Sequence, residues 1–195
     1  MNSLSKPRFT TRNITSIAVM AALSVILVAF IHIPMFLPFL EYDPADIPIF
    51  ITTFAFGPLV GFILTVIVAV LQGITVSASA GPIGIMMHIV ATGVFVLVAG
   101  NIYKRKKTRK NAVVALAVGV AAWTAAMVVW NIIVTPLYMG VPREQVIGLV
   151  VPAILPFNLI KAGINSVLTF ALYKSVGRLF GLKEVKSVKE CPAEK

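Results

Sequence analysis

The chain has 195 residues, of which 58% are hydrophobic and only 12% charged, and its mean hydropathy is +0.95. A water-soluble domain carries about a quarter charged residues, so this composition excludes a soluble globule and points to the bilayer. Seventeen Lys and Arg against seven Asp and Glu give a formal net charge of +10; that excess would suggest nucleic-acid binding in a soluble protein, but its placement between apolar runs excludes such a partner here.

Lys6, Arg8 and Arg12 precede a first uncharged run, Ile14 to Ile33. About 20 predominantly apolar residues span a bilayer as a helix, so a first crossing is expected over about 13–33. Within it Ala18 and Ala22 lie one turn apart, and small residues at that spacing let another helix approach closely. The next stretch, Pro34-Met-Phe-Leu-Pro-Phe-Leu40, is apolar and punctuated by prolines. It reads either as a lid packed on the protein or as a plain interfacial hairpin.

Between Ile47 and Tyr103 there is no Asp, Glu, Lys or Arg. As one helix this run would be about 86 Å long, against a hydrocarbon core of about 30 Å. Gly57-Pro58 and the Ser77 to Pro82 stretch break it, and Pro is tolerated at a helix start. Helices over about 46–56, 58–76 and 84–104 are expected, with Asp46 as a candidate N-cap for the first of them. That helix covers only half a span, so the preceding loop must lend it residues or dip into the protein. Asn111 to Pro142 is again uncharged, and from Gln145 to Tyr173 the sole charge is Lys161; these give helices over about 111–136 and 146–178, followed by a polar tail, 179–195.

Basic residues in short loops stay cytoplasmic. Clusters at residues 6–12, 104–110 and 174–195 therefore place both termini and the 104–110 loop inside, which requires an odd number of crossings between 47 and 103. The expectation is an all-α integral membrane protein of one domain, with six transmembrane helices and both termini cytoplasmic. The single Cys191 lies in the tail and offers neither a disulfide nor a cysteine metal site. No His-Glu-x-x-His, Gly-x-Ser-x-Gly or phosphate-loop motif occurs, so neither metalloprotease nor hydrolase nor ATPase chemistry is indicated.

Lys161 is the residue that asks for an explanation, because a Lys at mid-membrane costs about 2.5 to 3.5 kcal/mol on insertion scales. Asn158, Lys161 and Asn165 follow at intervals of three and four, and so project from one helical face. Asn131 adds an amide to the preceding helix. These groups could be glue between helices, but Asn131, Asn158 and Lys161 together are better suited to holding a polar ligand. Gln72 and His88 flank one outer turn and could line the mouth of a cavity, whereas His32 belongs at the interface. No carboxylate falls within an uncharged run, which argues against a proton relay.

The stretches Phe39-Leu-Glu-Tyr-Asp-Pro-Ala-Asp-Ile-Pro48, Phe56-Gly-Pro-Leu-Val-Gly61, Gly81-Pro-Ile-Gly84 with Ala91-Thr-Gly93, and Pro156-Phe-Asn-Leu-Ile-Lys161 resemble the riboflavin-binding S components (RibU type) of energy-coupling factor vitamin transporters, over roughly residues 12–180. The resemblance implies a membrane subunit that captures riboflavin as a transported ligand, uses no cofactor, and works with a transmembrane coupling subunit and two ABC-type ATPases. It implies ligand contacts at Asn131, Asn158 and Lys161, a capping loop between the first two helices that brings Leu40, Tyr42 and Asp43 towards a cavity also lined by Gln72, His88 and Asn165, and coupling-subunit contact at Ala18 and Ala22. His88 stands where the family often has Asn, Ile85 where it has a polar residue, and Ala45 where Ser is frequent; these differences bear on the choice between riboflavin and a related flavin such as FMN. The sequence alone also leaves open a stand-alone secondary carrier of another polar solute.

Overall fold

Prolines and Gly-Pro pairs punctuate a chain that is otherwise helical. The computed structural model describes residues 11–78 and 81–179. It runs as α1 (Thr11–Phe30), a hairpin of β1 (Ile33–Met35) and β2 (Leu37–Tyr42), α2 (Asp46–Phe56), α3 (Pro58–Ile74), α4 (Gly81–Arg105), α5 (Arg109–Met139), α6 (Arg143–Leu149), a π-helical turn Val150–Ile154, and α7 (Leu155–Leu179). The residues of the tail beyond 179, with Cys191, and the basic Lys6 and Arg8 lie outside the described residues. Among the described residues, four segments are long and apolar enough to cross a bilayer: Asn13–Phe30, Gly81–Arg105, Arg109–Met139 and Arg143–Tyr173.

Among the described residues the hairpin is the one departure from helix and turn, and its cause is local. Ile33 precedes Pro34 and Leu37 precedes Pro38; a residue before proline is pushed out of the helical region towards extended backbone. Helix α1 therefore stops at Phe30, three residues short of the expected end, and the two strands pair antiparallel with Ile33 opposite Tyr42 and Pro34 opposite Glu41. Phe36 closes the reversal with φ +61°. The hairpin is packed as well as paired: Leu40 is buried against Ala153 and Phe157, with Met35 and Leu37 beside them.

Helix α2 has 11 residues, and all from Asp46 to Phe54 are buried, so this half-length helix is an internal element. The hairpin that precedes it packs onto the protein. Gly57, at φ +100° with no neighbour that a Cβ would meet, makes the reversal into α3, and Pro58 opens that helix where a missing N–H costs nothing. Asp46 is not an N-cap: Ala45 holds that position with no side-chain cap bond, and the Asp46 carboxylate is directed elsewhere, as described below.

Helix α4 packs along both α3 and α5, and α7 packs on α5 and α2. At the centre the rings of Phe50 and Phe95 stack at 3.8 Å, and Trp123 meets each edge-on at 6.3 Å, an arrangement aromatic pairs favour. Where α2 and α3 fold back on each other, a Cβ on Gly61 would sit 2.0 Å from Thr53 Oγ1 and 2.8 Å from Val96 Cγ1. The Thr53 hydroxyl is held by the Ile49 carbonyl and cannot simply swing away. Gly61→Ala should therefore destabilise the protein by about 1–3 kcal/mol, the cost of overpacking, and adding Thr53→Ala should restore part of it; detergent-phase thermal unfolding measures both.

On the outside, α3 presents Leu59, Ile63, Ile67, Val70 and Ile74 exposed while Leu64 and Val68 are buried, the two-sided apolar pattern of a helix between core and lipid. Ala18 and Ala22 are exposed on α1, and Ala21 beside them is buried.

Candidate ligand cavity

Helices α3, α4, α5 and α7 and the hairpin enclose a cavity of about 140 Å³. Its apolar wall is made by Leu40, Ala69, Ala91, Trp123, Met127 and Phe157. Asp43, Gln72, His88, Asn158 and Lys161 add the polar groups, with His32 and Glu41 from the hairpin region. A concave apolar slot with a few convergent polar groups is the usual form of a small-molecule site.

Lys161 points into the protein. Its side chain is 13% exposed, and Nζ donates to Asp43 Oδ2 at 2.8 Å and to the Glu41 carbonyl at 3.1 Å. The same ammonium lies 6.0 Å from the centre of the Phe157 ring. A buried ion pair persists only when both charges are hydrogen-bonded, and here the pairing also fastens the hairpin to α7. Asn158, one turn earlier on the same face, accepts from Trp123 Nε1 at 3.0 Å and donates to the Ile154 carbonyl at 2.8 Å. Trp123 is thus held by a hydrogen bond on one side and by the Phe50–Phe95 stack on the other, which fixes the wall of the slot.

Asn165 continues the line but lies outside the cavity lining. Fully buried, it donates to the Asp43 carbonyl at 3.2 Å and Asp46 Oδ2 at 3.1 Å, and its Oδ1 accepts from the Tyr42 hydroxyl at 3.1 Å. Tyr42 likewise serves this junction and does not line the cavity. Asp46, also fully buried, accepts from Thr92 Oγ1 at 2.7 Å and lies 3.7 Å from His88 Nε2. The two acids sit just ahead of the uncharged run that begins at Ile47 and face inward from there. A buried mid-helix ammonium needs a counter-ion, and that need was the available signal for Asp43; nothing local pointed to Asp46.

Asn131 is buried one turn from the lining residue Met127, but its amide is committed within its own helix, donating to the Met127 carbonyl at 2.8 Å and accepting from Thr135 Oγ1 at 2.9 Å. It does not line the cavity. His32, at the hairpin, is paired with Glu41.

Burial raises the Asp43 carboxyl's pKa, but the Lys161 ammonium, helped by His88 and the Ala45 N–H, more than reverses this and holds it below the ordinary carboxylate value. The unfolded chain carries it at about 3.9. Because the folded pKa is depressed, the stabilisation is present above pH about 4 and is lost as pH falls through the folded value. Thermal unfolding of wild type and Asp43→Asn should show a gap at neutral pH that closes in this acid window; a gap constant down to the lowest pH tested would contradict the pairing.

Among the described residues no group of three or more His, Cys, Asp or Glu is placed to hold a metal ion. The family model for the substrate-specific component of ECF transporters matches residues 12–173. The chain belongs to that family.

As an S component it is a multi-pass protein of the bacterial cell membrane that holds its solute as cargo and is not an enzyme. It is 28% identical over 171 residues to the riboflavin transporter RibU of Staphylococcus aureus, covering 84% of this chain and 89% of that one. It is 32% identical over 142 residues to the riboflavin transporter FmnP of Bacillus subtilis, covering 69% and 74%, and 33% identical over 181 residues to RibU of Streptococcus thermophilus, covering 85% and 84%. A solved S component of a bacterial ECF transporter superposes with a TM-score of 0.73 at 26% identity, over 86% of this chain and 96% of that one. ThiT of Listeria monocytogenes, at 17% identity and a TM-score of 0.64 over 86% and 96% of the two chains, shares the fold.

Proposed function

We propose that this S component captures riboflavin for ATP-driven uptake. The observation that carries the reading is the cavity: a slot between Trp123, Met127 and Phe157 that suits a flat heterocycle, edged by the Asn158 amide and the Lys161 ammonium. Isoalloxazine offers apolar faces to such walls and carbonyl acceptors at its pyrimidine edge. Lys161 and Asn158 make the ligand contacts, with Asn131 behind Met127 holding that wall in place. The names of the relatives agree. Riboflavin suits the site better than FMN, because Lys161, among the described residues the one Lys or Arg lining the cavity, is already neutralised by Asp43, and Glu41 lines the cavity beside it; a phosphate would have to displace that pairing.

In this reading the chain crosses the membrane six times with both termini cytoplasmic, α2 and α3 counting as two of the crossings. The hairpin caps the cavity at the outer face. The exposed Ala18–Ala22 strip of α1 meets the coupling subunit, which two ABC-type ATPases drive. Proteoliposomes containing the chain with its coupling subunit and ATPases should accumulate riboflavin only when ATP is supplied. Accumulation by the chain alone, driven by an ion gradient, would instead identify a secondary carrier and overturn the proposal.

A further inference from the structure

Two buried side-chain nitrogens of the cavity wall have no hydrogen-bond partner. Gln72 Nε2 and His88 Nε2 make no hydrogen bond, while both residues line the cavity, and Gln72 is only 5% exposed. His88 Nε2 stands 3.7 Å from Asp46 Oδ1, beyond hydrogen-bond reach, and that oxygen already accepts from Thr92. The other polar groups of the cavity are differently placed: Asn158 has both amide atoms engaged, and Lys161 has Asp43 and the Glu41 carbonyl. A buried polar group left unmade is costly, so a site that keeps two of them on one wall is built for a ligand that supplies the missing partners.

Position and chemistry say which part of a flavin that is. Gln72 lies one turn along α3 from Ala69, and His88 one turn along α4 from Ala91, and both alanines belong to the apolar slot. The unpartnered pair therefore forms a polar strip beside the slot. A carboxamide both donates and accepts, and an imidazole offers ring nitrogens to a hydroxyl, which matches hydroxyl groups, since these do both. We infer, on the basis of the flavin reading above, that Gln72 and His88 are specificity-determining residues that take the hydroxyls of the ribityl chain and so distinguish riboflavin from an isoalloxazine without a polyol.

The test compares riboflavin with lumiflavin, which carries a methyl group in place of the chain, by fluorescence titration of the purified full chain. Wild type should prefer riboflavin by about tenfold or more, the worth of one to two hydrogen bonds. In Gln72→Leu and His88→Leu that preference should fall towards unity, and His88→Gln, which keeps a donor and an acceptor, should retain most of it. The empty Gln72→Leu protein should melt no lower than wild type, because a leucine removes an unmet amide from the interior. An unchanged preference in both leucine variants would overturn the inference, as would equal weakening of both ligands together with a lower melting temperature of the empty protein. Wild type that binds neither flavin would defeat the flavin reading itself, a result distinct from any of these.

Discussion

Lys161→Met should abolish useful flavin capture and also weaken the empty protein. The Lys161 ammonium is the counter-charge of the buried Asp43 carboxylate at 2.8 Å, and removing one member of such a pair leaves an uncompensated charge in a low-dielectric interior, at a cost of about 3–5 kcal/mol. The stability loss and the affinity loss have different origins, which makes them separable. In the double variant Lys161→Met/Asp43→Asn no buried charge is stranded, and most of the stability should return. Flavin affinity should not: it depends on the ammonium as a donor, and the loss of a charge-assisted hydrogen bond is worth about 10- to 100-fold. Thermal unfolding of the ligand-free proteins, set beside fluorescence titrations, resolves the two. A Lys161→Met protein as stable as wild type would show that Asp43 is not its partner.

The second large effect is expected at Asn165, which does not touch the cavity. Its amide joins three pieces of chain: the Tyr42 hydroxyl at the end of the hairpin, the Asp43 carbonyl after it, and the Asp46 carboxylate that opens α2. Asn165→Ala leaves Asp46 with the Thr92 hydroxyl as its remaining hydrogen bond and removes one of the ties between the hairpin and α7, the Lys161 pairing being the other polar one. A buried group deprived of its partner costs about 1–3 kcal/mol, and more when charged, so a loss of about 3 kcal/mol is expected. The hairpin is the element that should loosen. Residues 33–45 should exchange amide hydrogens faster, and bound flavin should dissociate about tenfold faster or more, because what holds the cavity closed is weakened while its walls are intact. Thr92→Val, which removes only one of the hydrogen bonds to Asp46, should give a smaller effect of the same sign. If Asn165→Ala changed stability without altering hairpin exchange, the junction would have to be read as ordinary core packing.

How much of this site is legible in the sequence differs residue by residue. Lys161 stands alone in an apolar run, and an isolated cation there must find an interior partner; its spacing from Asn158 shows that the two share a face, and the structure turns that face to the cavity. The apolar, proline-broken stretch at 34–40 and the half-length helix after it leave two readings open, and packing of Leu40 against Ala153 and Phe157 decides for a hairpin seated on the protein. Asp46 is misread by local rules. An acid ahead of Ile-Pro looks like a helix cap, but its hydrogen-bonding partners lie 46 and 119 residues away, and no short-range pattern carries that information. Asn131 shows the opposite limit: the sequence shows a polar group in an apolar helix but cannot show that its amide bonds the Met127 carbonyl one turn earlier and the Thr135 hydroxyl. The same limit applies to Gln72 and His88, whose interest lies in what they fail to bond.

The central claim is that a single flavin ring lies in the slot bounded by Trp123, Met127 and Phe157. Titrating the purified protein into riboflavin while following flavin fluorescence tests it directly: aromatic walls at van der Waals distance should quench the emission to a sharp end point at one flavin per chain, and Trp123→Leu should remove most of that quenching. Emission that stays at the level of free riboflavin throughout the titration would contradict the account.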